Sequence, residues 1–407
     1  MDNQTIVNAE IIKKEKRKYF ASFLWKLTLA IVIILALQLR LIVPQSFFIG
    51  FMDVFCKKVH NSFTYGYQNL ADSGIIKTVS EILKYIYLMA ADGIGALVLY
   101  LLTKKTASKP EKGNLNFGWW LITFLICFGI GGIGTVIGSI VNAVVLSPAV
   151  IIKYAFSLLT GGNIAQSLLY ADDSWAYLFF GIITVGIVIP IFEELIFRKL
   201  VIDSTAKYGY GAAIMISGFT FAVYHGNFNQ FFYAFGLGLL FAYIYANTGK
   251  LRYSVFLHMG YNLYAALVIP LARKTVPSGV LESIREALDR LSEAIQANPD
   301  AMSLAFNRYS MEVERILTAK PFAMVGLIIL ASVNLFYFFL NIVGFILLLV
   351  FLKKGLNVRK TMMLGQKGTK RCAAGNWGAA IFYVLAVSMF LLYYGALYLV
   401  TIFSGLI

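Results

Sequence analysis

Glu193, Glu194 and Arg198 lie in IPIFEELIFRKL, residues 189–200, at the end of an apolar run that reads as a membrane helix. Ionisable residues in hydrocarbon are costly, so they usually face the interior of a helix bundle and mark a function. On a helix, Glu194 and Arg198 are four apart and share a face, while Glu193 is turned about 100° away. One arginine therefore cannot answer both acids. Glu194 with Arg198 reads as an ion pair that holds the helix, and Glu193 is left to point into a cavity. Pro190 lacks a backbone N–H and predicts a kink close to the pair.

The chain has three histidines, and two of them, His225 and His258, fall in the apolar runs that follow. Phe221 and His225 are four residues apart, as are His258 and Asn262, so each pair lines one helical face. Taken singly, a membrane histidine is a packing residue and the acid pair an ordinary helix end. Together, an acid, two imidazoles and an amide on successive helices suit hydrolysis. The carboxylate takes a proton from water, and N–H donors stabilise the oxyanion that forms. Glu193, His225 and His258 could equally hold zinc as two histidines and one carboxylate with water in the fourth position. The metal-free route is preferred, because no HExxH motif occurs. Counted at about 1.5 Å per residue along each helix, the three side chains reach depths that could meet near the bilayer midplane.

Glu193, Glu194 and Arg198 as EExxxR, Phe221 and His225 as FxxxH, and His258 and Asn262 as HxxxN make up a pattern that resembles the CAAX protease and bacteriocin-processing family of intramembrane proteases. The resemblance covers about residues 174–270, including FGLGLLFAYIYANTGKLRYSVFLHMGYN at 235–262. It implies that Glu193 is the general base, polarising water together with His225. His258 and Asn262 would donate to the oxyanion, while Glu194, Arg198 and Phe221 support the site. A peptide or lipidated-protein substrate follows from the same resemblance. The family also has non-catalytic members, so a membrane scaffold, a regulatory partner or a bacteriocin-immunity protein is the alternative. A proton-linked transporter would use the same residues as a relay, but no inverted repeat supports it.

These residues need a membrane bundle to position them. The 407 residues are 59% hydrophobic and 14% charged, with a mean hydropathy of +0.75, far more apolar than a soluble chain of this length. The fold expected is all-α, a polytopic transmembrane helical bundle of about eight or nine spans. Apolar runs long enough to cross a bilayer occur near residues 20–43, 83–103, 117–146, 174–202, 209–226, 228–247, 251–270, 321–352 and 377–403. The first is longer than a signal-peptide core and is taken as a retained anchor. Four parts follow: N-terminal spans at 1–173, the catalytic core at 174–270, a hydrophilic outer insertion at 271–320, and C-terminal spans with a basic inner loop at 321–407.

Most of the 35 Lys and Arg fall on one side of this topology if the N-terminus is cytoplasmic, which puts the C-terminus outside. The net charge of +15 is then an orientation signal and an attraction to anionic lipid, with no basic and aromatic interleaving to bind nucleic acid. Cys56, Cys127 and Cys372 fall in an outer loop, a span and an inner loop, so no disulfide or thiolate metal site is expected. GIGGIG at 129–134 matches a dinucleotide-binding pattern in letters only. It lies inside a span with no preceding strand, and close helix packing explains it. In the insertion, Leu281, Ile284, Leu288, Leu291 and Ile295 form the stripe of an amphipathic helix, capped by Ser278 and stopped at Asn298-Pro299. That helix could lie on the bilayer or on neighbouring loops, or dock a membrane partner protein.

Overall fold

The computed structural model describes residues 22–29, 75–104, 110, 113–146, 175–206, 209–225 and 228–362. All regular structure among them is helical. We label the elements α1 (Ile75–Thr103), α2 (Phe117–Leu146), α3 (residues 175–205), α4 (Tyr210–Tyr224), α5 (Phe228–Thr248), α6 (residues 251–274), α7 (Val280–Ala297), α8 (Met302–Ala319) and α9 (Ala323–Met362). Among the described residues, five stretches are long and apolar enough to cross a membrane: Phe117–Val141, Leu178–Thr205, Gln230–Thr248, Leu251–Lys274 and Ala323–Lys353. Leu88–Thr103 and Tyr210–Tyr224 are shorter apolar helices. The run expected at 377–403 lies outside the described residues, as does all of 20–43 except a helical stretch at 22–29.

A helix in hydrocarbon satisfies its own backbone, so what orders these rods is side-chain packing and the few polar groups they must share. Their faces are sorted accordingly. Tyr85, Ala91, Asp92, Ala96, Leu99 and Thr103 are buried on one stripe of α1, while Ile86, Ile94, Leu97 and Leu101 are exposed on the other. In α2 the glycines of GIGGIG are close-approach points. A Cβ on Gly129 would overlap the backbone of Gly344 in α9, and one on Gly134 would overlap the backbone of Tyr233 in α5. The packing reading of that motif is what the fold uses.

α3 is not a regular α-helix. Its α-helical turns are interrupted by π-helical stretches at Ile182–Val188 and Glu194–Leu200, on either side of Ile189–Glu193. The disturbance expected at Pro190 is therefore a local widening of the turns around the acid pair, and such segments often occur at functional sites. α6 has a similar π-helical stretch at Tyr264–Val268.

The insertion is a helical hairpin, α7 followed by α8. Its first helix begins one residue later than expected: Gly279, with φ of +80°, occupies the cap position, and no side chain caps the end. Asn298 terminates it as read. Val280 and Ile284 are buried in a cluster with Ala272, Val276, Ala323 and Leu330, with Leu281, Leu288, Ile316 and Leu317 packed against it; Leu291 is buried as well. The apolar stripe is therefore covered by this chain's own α8 together with residues near the end of α6 and the start of α9.

Candidate active site

The geometry starts from the turn of α3 that carries the acid pair. Glu194 and Arg198 are fully buried, and Glu193 and His258 nearly so, at 5% and 4% exposure. Arg198 Nη2 stands 2.9 Å from Glu194 Oε1, the i,i+4 ion pair read from spacing. The guanidinium also lies over the Phe221 ring, 4.3 Å from its centroid, with Phe241 on another side at 5.5 Å. Cation–π contacts that are desolvated in this way are worth about 2 kcal/mol. Phe221 thus supports Arg198 as well as standing one turn before His225.

His258 sits between the two carboxylates. Its Nδ1 is 3.0 Å from Glu194 Oε1, and its Nε2 is 3.4 Å from Glu193 Oε2. With Nδ1–H donating to Glu194, the second contact needs one proton, carried either by the imidazole or by the acid. Ser254, one turn earlier on α6, is buried and donates to the Leu251 carbonyl at 3.1 Å. The family resemblance implies Glu193 acting with His225 and His258 at the oxyanion; the helix rotation that aims His258 at both acids is a tertiary outcome.

His225 stands at the end of α4, half-buried. Its Nδ1–H donates to the Phe221 carbonyl at 2.8 Å. Phe221 packs edge-on against both imidazoles, with ring centroids 4.8 Å from His225 and 5.6 Å from His258, so it separates and orients them. Asn262 is one turn beyond His258 on α6, where its amide donates to the Val185 carbonyl at 3.1 Å. That bond ties α6 to the π-helical part of α3. The seven predicted residues thus occupy one neighbourhood, with Glu193, Glu194, Arg198 and His258 in direct contact and His225 and Asn262 at its edges.

Zinc does not fit these positions as packed. Both nitrogens of His258 face carboxylate oxygens, Nδ1 of His225 is committed to a backbone carbonyl, and no group of three His, Cys, Asp or Glu among the described residues converges as a ligand set.

Two buried acids escaped the sequence reading. Asp92 of α1 is fully buried and accepts a hydrogen bond at Oδ1 from the Tyr224 hydroxyl. It also lies close enough to Glu193 for the two to interact electrostatically. Asp203 of α3, 4% exposed, accepts a hydrogen bond from the Tyr245 hydroxyl of α5 at 2.8 Å. The available signal for Asp92 was its rarity: in the apolar run 83–103 the other charged residue is Lys84, near its start.

Buried carboxylates, imidazoles and one guanidinium inside an apolar helical bundle are the components of an acid–base site within a membrane. Residues 175–264 match the family model described as Type II CAAX prenyl endopeptidase Rce1-like. The chain is also 28% identical over 203 residues to "Putative membrane peptidase YdiL" of Bacillus subtilis, an alignment that spans 49% of this chain and 72% of that protein. Both comparisons support the CAAX protease and bacteriocin-processing family, a family of membrane proteases. No solved structure matches the chain.

Proposed function

We propose that the chain is an intramembrane endopeptidase that hydrolyses a peptide bond in a membrane-associated or lipidated peptide. The observation that carries this reading is the placement of His258 between Glu193 and Glu194 in the buried core of the helix bundle. In the reaction, Glu193 takes a proton from water as the water oxygen attacks the scissile carbonyl carbon. The second N–H of the Asn262 amide and the Nε2 of a protonated His225 donate to the oxyanion, which then collapses, while His258 holds the two carboxylates. The C–N bond breaks as Glu193 returns the proton to the leaving nitrogen. Each donor of this kind is worth roughly 100- to 1000-fold in rate. Arg198 neutralises Glu194, so Glu194 can hold the Nδ1–H of His258 and set which nitrogen faces Glu193.

The match over residues 175–264 supports this reading, because it covers every residue assigned a role in these steps. The test is a comparison of membrane peptides by mass spectrometry in cells carrying the native chain, Glu193→Gln or no gene. A peptide produced with the native chain and absent in the other two is expected, and it names the substrate. Identical peptide profiles, with a cellular phenotype retained by both Glu193→Ala and His225→Ala, would overturn the protease reading in favour of a scaffold.

A further inference from the structure

His225 has an unusual support. It is the cap residue of α4, beyond the last turn held by the helix's own hydrogen bonds, and its backbone N–H reaches only the Ala222 and Val223 carbonyls. Helix ends fray unless something outside the helix holds them. The preceding residue provides that hold. The Tyr224 ring is 5% exposed, packs edge-on against Phe197 of α3 at 5.2 Å, and stands 5.7 Å from the His225 ring. Its hydroxyl crosses to α1 and donates to the Asp92 carboxylate. Asp92 occupies the centre of the inward stripe of α1 and is fully buried. α1 lies outside the 175–264 match, so this contact is not part of the motif pattern.

We propose that Asp92, acting through the Tyr224 hydroxyl, is a positioning residue that anchors the end of α4 and thereby sets the orientation of the His225 imidazole. A carboxylate suits this task in hydrocarbon. The buried hydrogen bond from Tyr224 Oη–H to Asp92 fixes where the ring sits, and the adjoining residue follows it. The proposal rests on the protease reading only for what His225 does; the contact and its effect on the ring stand apart from it.

With three histidines in the chain, ring-15N histidine labelling of the full-length protein in detergent micelles reads this directly, and His225→Ala and His258→Ala assign the signals. Tyr224→Phe, which removes one oxygen and keeps the ring, should shift and broaden the His225 signals while those of His258 stay in place. Asp92→Asn keeps an oxygen that can accept the hydroxyl and should leave His225 near its native signals, whereas Asp92→Leu should displace them as Tyr224→Phe does. Unchanged His225 signals in Tyr224→Phe would overturn the proposal, as would equal movement of His225 and His258, which marks general loosening. Asp92→Asn behaving like Asp92→Leu would also count against it, since the charge and not the hydrogen bond would then be acting. Because the readout is spectroscopic, failure of the protease reading leaves it standing.

Discussion

Arg198 is the bulkiest fully buried side chain of the described core, and its one carboxylate partner is equally buried. Removing one member of such a pair strands the other charge. Arg198→Met is therefore expected to destabilise the protein by about 3–5 kcal/mol, measured as thermal unfolding of purified protein in detergent. Glu193→Gln is isosteric and leaves the Glu194–Arg198 pair untouched, so it should unfold within about 1 kcal/mol of the native chain while cleavage falls at least 100-fold. A large stability loss in Glu193→Gln would mean that this carboxylate is a strut rather than a base. At this scale much was legible beforehand, because a spacing of four on a helix dictates a shared face. Glu194 with Arg198 and Phe221 with His225 could be paired from that alone. The position of His258 between the acids could not, since it depends on how α6 is rotated against α3, and nothing local in either helix specifies that angle.

Helix contacts in this bundle depend on small residues. Gly129 of α2 and Gly344 of α9 allow their backbones to touch, and any Cβ at either position would meet main-chain atoms that cannot move aside. Gly344→Val is expected to separate the two helices and destabilise the protein, measured as thermal unfolding, by well over the usual effect of a point mutation, about 1 kcal/mol. Gly211, where a Cβ meets nothing within 4 Å, is the control position, and Gly211→Ala should be close to neutral. The glycine run announced close packing in advance; its partners on α9 and α5 are remote in sequence and were settled only by folding. The same division holds for the insertion. The periodicity of Leu281, Ile284, Leu288 and Leu291 specified an amphipathic helix, and the cluster with Ala272, Val276 and Leu330 decided what covers it. Ile284→Asp should therefore release α7 and raise protease sensitivity within 275–320. Arg290→Ala, which removes only exposed pairing to Glu286 and Glu312, should change stability by less than about 1 kcal/mol.

Across the whole molecule, the charge distribution predicts that the hairpin is outside and the 104–112 segment inside. Single cysteines at Ser310 or Lys104, both exposed, in a background lacking Cys56, Cys127 and Cys372, test this with a membrane-impermeant maleimide on intact cells. Labelling at 310 and protection at 104 is the expected pattern, and the reverse would invert the topology. The sequence by itself determined that the chain is a helical membrane protein and which residues form the chemical pattern. It could do so because hydropathy, helical spacing and residue type are local properties, and hydrocarbon permits few alternatives to a helix. Only the tertiary structure decided that His258 bridges both glutamates, that Arg198 is enclosed by Phe221 and Phe241, and that Asp92 of the distant α1 reaches the turn carrying His225. These depend on the rotation and depth of whole helices, which are set collectively by glycine contacts and shared buried polar groups rather than by any one segment.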